Sequence, residues 1–132
     1  MDTDSPNPNL SPADVVRIQL SALQHNDEPT PNAGIEIAFQ FAAPTNRAIT
    51  GPIDRFIKLV KNPLYAPMLN FVSAEVEEGE CGEEEATLRV TVQAQLGEWV
   101  RYVFSLERQI EYPYSGCWMT AGVVHEITLH LN

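Results

Sequence analysis

Apolar residues recur at helical spacing in the first half of the chain and at strand spacing in the second. Ser11, Pro12 and Asp14 have the form of a helix start: the hydroxyl can cap a free N–H, proline suits the first turn, and the carboxylate faces the positive end of the helix. They predict a helix from about Ser11 to Gln24, in which Val15, Val16, Ile18, Leu20, Ala22 and Leu23 spread over more than half the circumference. Such a wide arc should be covered on several sides. Pro29 to Asn32 break the chain, and Ala33 to Ala42, carrying Ile35, Ile37, Ala38, Phe39 and Phe41, predict a short, mostly buried helix ended by Pro44. A third helix begins near Thr50-Gly51-Pro52. There Ile53, Phe56, Ile57 and Val60 stand at i, i+3, i+4 and i+7, with Asp54, Arg55, Lys58 and Lys61 largely on the other face and Asp54 spaced to pair with Lys58. Asn62-Pro63 stops it, and Leu64 to Leu69 form a turn of helix or an irregular link that carries Tyr65 and Met68 inward.

From Phe71 the period falls to two. Phe71 to Val76 predict a strand, Glu77 to Glu85 a hairpin turn, and Ala86, Leu88, Val90, Val92 and Ala94 alternate with Thr87, Arg89, Thr91, Gln93 and Gln95. Leu96-Gly97-Glu98 turns the chain into Trp99 to Ile110, a second alternating strand that pairs with the first as a long antiparallel hairpin. Pro113 to Gly116 break it, and Cys117 to Val124 return as a further strand, with an extension through Ile127 and Leu129 left open. Helices in a block followed by long antiparallel strands predict an α+β fold, with three N-terminal helices packed on one face of a curved antiparallel sheet.

The 132 residues are enough for one core and too few for two. We therefore expect a polar, proline-rich tail over Met1 to Asn9, disordered, and a single domain over 10–132. The formal charge of −10 is less general than it looks, because Glu75, Glu77, Glu78, Glu80, Glu83, Glu84 and Glu85 crowd one stretch and the rest of the chain carries only −3. That balance argues against nucleic acid or an anionic membrane as partner. No apolar run suits a membrane span and no secretory signal opens the chain, so the expected location is cytoplasmic, with Cys81 and Cys117 reduced. Cys117 reads as a small buried hydrophobe rather than a nucleophile.

Three helices, a long meander and a tryptophan in the last core strand make the chain resemble the nuclear-transport-factor-2-like (NTF2-like) superfamily, which includes ketosteroid isomerases and SnoaL-type cyclases. Asn46-Arg47-Ala48-Ile49-Thr50-Gly51-Pro52 running into Arg55-Phe56, Pro63-Leu64-Tyr65 and Gly116-Cys117-Trp118-Met119-Thr120 resemble an uncharacterised branch found in photosynthetic organisms. The resemblance covers about residues 10 to 125. It implies a cone-shaped sheet and helices around a cavity, often dimerised through the outer face of the sheet, and it implies no activity.

Candidate chemistry is sparse. An isomerase of that superfamily would use a carboxylate base and a hydroxyl donor inside the cone. Every aspartate lies at or before Asp54, and Glu107 shares the wetter face of its strand with Arg101 and Ser105, so no catalytic residue is assigned. Tyr102 is a plausible inward hydroxyl, although a buried tyrosine bonded to a backbone carbonyl is the commoner case. The glutamates lack the spacing of a calcium loop, and His25, His125 and His130 lack that of a zinc site; neither metal nor cofactor is expected. Arg47 and Arg55 flank the Thr-Gly-Pro helix start and are candidates for an anion, with Arg47 reading more readily as a tie to backbone carbonyls. Phe56, Tyr65, Tyr102, Phe104, Trp118 and Met119 are the cavity candidates, and plain core packing is the alternative for Trp118 and Met119. Arg89, Trp99, Arg101 and Glu107 on the wet face of the sheet are the candidates for a homodimer contact.

Two functions remain. One is a non-enzymatic binding or assembly domain with an apolar conical cavity for a small hydrophobic ligand. The other is an enzyme of isomerase, cyclase or hydratase type acting in the same cavity. They differ in whether an ionisable side chain lines the cavity with its proton-active atom free of structural partners.

Overall fold

The computed structural model of the chain describes residues 5–126. Ser11 caps the first helix, α1 (Pro12–Gln24), by accepting from the Asp14 amide at 3.1 Å, and Asp14 returns the bond to the Ser11 amide at 2.9 Å. This reciprocal box satisfies two amides that a helix end otherwise leaves unpaired. The wide apolar arc is covered as expected: Val15, Val16, Leu20 and Leu23 are buried, against α2 (Ala33–Gln40) on one side and the sheet on another.

Helix α2 starts without a side-chain cap from its own Asn32. The buried Asn26 does that work from the end of α1, its Oδ1 accepting from the Ile35 amide at 2.9 Å and its carbonyl from the Gly34 amide at 2.9 Å. Gly34 lets the two helices approach this closely, since a Cβ there would lie 2.0 Å from the Ala22 carbonyl oxygen. Pro44 begins a helix rather than merely ending one, and four helices precede the sheet where three were expected. The additional α3 (Pro44–Thr50) lies between α2 and α4 (Ile53–Val60). Its seven residues bury no side chain completely, so no apolar period announces it. A 3-10 turn at Ala66–Met68 then brings the buried Met68 into the core.

The sheet is a four-stranded antiparallel meander, β1 (Ser73–Cys81), β2 (Glu85–Gln93), β3 (Trp99–Arg108) and β4 (Trp118–Glu126), in that spatial order. Ala86, Leu88, Val90 and Val92 of β2 and Tyr102, Phe104 and Leu106 of β3 bury the face toward the helices, as the alternation predicts. The expected Glu77–Glu85 turn is much shorter in fact. Strand β1 runs on to Cys81, with an irregular register between Glu78 and Cys81. As an edge strand exposed from Glu77 onward, it carries glutamates that keep their hydration, and such charges guard an open edge. The extension of β4 through Ile127 and Leu129, and residues 1–4 of the expected tail, lie outside the described residues. Asn7 to Asn9 form a local turn that approaches the Gly116 loop at Pro8. Among the described residues no helix is long and apolar enough to cross a membrane.

The other edge of the sheet is partly closed. The link between α2 and α3 runs parallel to β4 at Ala42 and Thr120, with Thr120 N–H donating to the Phe41 carbonyl and the Ala43 N–H to the Thr120 carbonyl, both at 2.8 Å. This stitch brings α3 and α4 over the β3–β4 end of the sheet.

Candidate functional site

Between α1, α2, α4 and the inner face of β3 and β4 lies a cavity of about 190 Å³. Its walls are mostly apolar: Leu23, Phe56, Val60, Met68, Phe104 and Val123. Phe56 leans on Phe39, ring centroids 4.8 Å apart, which fixes α4 against α2. The polar lining consists of Gln19, Asn46, Thr50, Tyr65 and Thr120, and each of these has an internal partner. The Thr120 hydroxyl donates to Gln19 Oε1 at 2.6 Å, and Gln19 Nε2 donates to the Ala38 carbonyl at 3.1 Å. Asn46 Nδ2 donates to the Thr120 carbonyl at 3.1 Å, the Thr50 hydroxyl to the Asn46 carbonyl at 2.9 Å, and the Tyr65 hydroxyl to the Val123 carbonyl at 2.9 Å. No carboxylate, imidazole, thiol, ammonium or guanidinium lines the cavity among the described residues.

The expected cavity residues divide evenly. Phe56, Tyr65 and Phe104 line it; Tyr102, Trp118 and Met119 do not. Tyr102 is wholly buried behind the wall, its hydroxyl donating to the Leu64 carbonyl at 2.6 Å and its ring stacked on Tyr65 at 6.1 Å. Burial, and then the neighbouring Tyr65, hold its hydroxyl in the neutral form well above the usual tyrosine range. Trp118 packs half-buried against the main core, and Met119 joins a separate small cluster with Ala43 and Cys117. Alternation and one irregular register account for this: Met119 falls on the face of Glu107, Trp118 shares the face of Thr120 but lies at the start of β4 beyond the cavity, and the extra residue between Thr120 and Gly122 brings Val123 inward opposite Phe104.

Arg47 is not the anion contact suggested by its position before the Thr-Gly-Pro segment. Its Nε donates to the Ala42 carbonyl at 2.9 Å, its terminal nitrogen to the Gln40 carbonyl, and its guanidinium lies 5.4 Å from the ring centres of both Phe39 and Tyr114. It is the tie across the α2–α3 turn. The Arg55 side chain is exposed and makes no ion pair or hydrogen bond with a described residue, and the expected Asp54–Lys58 pair is not formed. On the outer face of the sheet, Arg89 and Arg101 both reach Glu126 within the chain, at 3.3 and 3.5 Å, while Trp99 is 53% exposed and Glu107 is half-buried.

Other reactive groups stand apart from the cavity. Burial pushes the Cys117 thiol up, away from the thiolate a nucleophile requires, and Cys81 is exposed in the acidic strand. No three His, Cys, Asp or Glu side chains gather to hold a metal among the described residues. His125 sits on the inner face opposite Tyr102, ring centroids 5.4 Å apart, and its Nδ1 is buried without a hydrogen-bond partner among the described residues.

Sequence reasoning missed Gln19, Asn46, Thr50 and Thr120. One signal was present: Gln19 interrupts the stripe Val15–Gln19–Leu23 on the buried side of α1, where an uncharged polar residue needs a partner. Its partner lies 101 residues away, which no local pattern supplies. Residues 9–126 match a family model described as a domain of unknown function (DUF4864). No curated protein and no solved structure matches the chain.

Proposed function

This chain belongs to the DUF4864 family, a domain of unknown function, and we propose that it is a non-enzymatic module that binds a small hydrophobic ligand in the cavity between its helices and sheet. The observation that carries the reading is the lining itself: apolar walls around a space of about 190 Å³, with every polar side chain already bonded inside the protein. A volume somewhat above that of an engineered cavity of roughly 150 Å³ that binds benzene suits a compact ligand. Satisfied polar walls select for apolar surface and offer no proton donor or base. The helix-first order and the curved meander support the resemblance to the NTF2-like superfamily, which belongs to the same proposal.

The test is calorimetric titration with the uncharged amphiphile n-octanol. We expect saturable binding to the native chain and its loss in Ala38→Leu, which adds bulk to the lining. Binding that survives in this variant lies elsewhere, and no binding at all to the native chain rejects the reading.

One observation favours a second reading, a proton-transfer enzyme of isomerase type: the unpartnered Nδ1 of His125 near the cavity wall. His125 lies beyond the lining, behind Tyr65 and Tyr102, so a substrate in the cavity does not reach it without a rearrangement of those rings.

We also propose that the module is a homodimer joined through the outer face of the sheet. Trp99 and Val124, 53% and 62% exposed, give that face apolar contact surface. Glu107, half-buried without an ion pair among the described residues, faces Arg89 or Arg101 of a second copy in this arrangement, the self-complementary contact that a twofold axis requires.

A further inference from the structure

Thr50 and Leu59 form a wall of the cavity that has a second side. These two residues are shared with a shallower concavity on the outside of the α3–α4 corner, completed by Ile49, Arg55 and Lys58. The rim is apolar: Ile49 is 71% and Leu59 37% exposed. Above it stand two cations, exposed and without an ion pair or hydrogen bond to any described residue. The one acidic side chain on their own helix is Asp54, itself exposed. The crowded glutamates lie on β1 and its turn, at the sheet edge opposite the β3–β4 end that lines the cavity. Charges that far along the surface are largely screened at physiological salt, beyond a Debye length of about 8 Å.

We propose that the ligand is a small anionic amphiphile, a medium-chain carboxylate, with its apolar tail in the cavity and its carboxylate at the mouth between Arg55 and Lys58. This rests on the cavity reading and adds the headgroup to it. Among the described residues the cavity lining has no cation, so the charge is placed outside, where guanidinium and ammonium both donate. The volume limits the buried tail to roughly six to eight carbons, by comparison with the benzene-sized cavity. A longer acyl chain would have to leave its end in water.

Titration of the full chain with octanoate, n-octanol and n-octylamine separates the two levels of the argument. We expect octanoate to bind roughly tenfold more tightly than octanol at low ionic strength, the margin shrinking as salt is added, and octylamine to bind most weakly. Arg55→Gln with Lys58→Gln, both on the surface, should bring octanoate down to the affinity of octanol and leave octanol unchanged. If octanol binds and octanoate gains nothing, or if the double variant affects neither, the cavity reading stands and the headgroup assignment is overturned. Preference for octylamine overturns it as well. If none of the three binds, the cavity reading fails and takes this assignment with it.

Discussion

Thr120 concentrates more of the fold than any other single residue. Its hydroxyl holds Gln19 of α1, its amide and carbonyl hold the link between α2 and α3, and its carbonyl also accepts from Asn46 of α3. Each of these groups is out of water, where leaving a partner unsatisfied costs about 1–3 kcal/mol. Tyr102 shows the same economy with a titratable group. Folding raises its pKa through burial, so the stability it contributes is fully present below the ordinary tyrosine value near 10. Above that value the unfolded chain ionises while the folded one keeps its proton, and stability falls as the pH rises toward the raised folded value. Tyr102→Phe should therefore cost about 1–3 kcal/mol at neutral pH, because the Leu64 carbonyl loses its donor. The gap between variant and native protein should close above about pH 10, where only the native chain loses this contribution. Urea denaturation at both pH values measures it, and a gap independent of pH would remove Tyr102 as the titrating group.

At the scale of elements, the junction of α1 and α2 is set by contact distance rather than by apolar surface alone. Gly34 is required not for a special backbone angle but for the space its missing Cβ leaves against Ala22 and the Asn26 backbone. We expect Gly34→Ala to lower stability by about 3 kcal/mol or more, at or beyond the upper end of ordinary overpacking, since both obstructing groups are backbone. Gly122→Ala in β4 is the control: a Cβ there meets nothing within 4 Å, and the change should be close to neutral. Thermal or denaturant unfolding of the two variants decides it; equal effects would mean that the helices can separate without loss.

For the whole molecule, the acidic edge and the mixed outer face have different consequences. The glutamates of β1 discourage pairing at that edge, which leaves the face of the sheet as the surface for self-association. Sedimentation at tens of micromolar should find a dimer, and Arg101→Glu with Trp99→Ala should shift it toward monomer without unfolding. A native chain that sediments as a monomer would end the dimer proposal while leaving the cavity untouched.

What the sequence determined by itself is whatever depends on neighbours along the chain. The Ser11–Asp14 box, the covered arc of α1, the apolar stripe of α4 and the alternation of β2 and β3 are all local periods, and they suffice for an α+β class with helices before the sheet. Helix α3 and the full length of β1 escaped because neither buries a periodic apolar face: one bridges two helices, the other lies at an exposed edge. The site was legible in Phe56, Tyr65 and Phe104, which large apolar bodies and inward positions mark. Tertiary structure alone decided the rest. A register shift in β4 after Thr120 turns Val123 toward the cavity, and Gln19 is satisfied by a hydroxyl 101 residues away. It also sets Arg47 on backbone carbonyls while the side chains of Arg55 and Lys58 stay exposed without an ion pair among the described residues, because hydrogen bonds between distant segments depend on where the sheet carries them, and no local spacing encodes that.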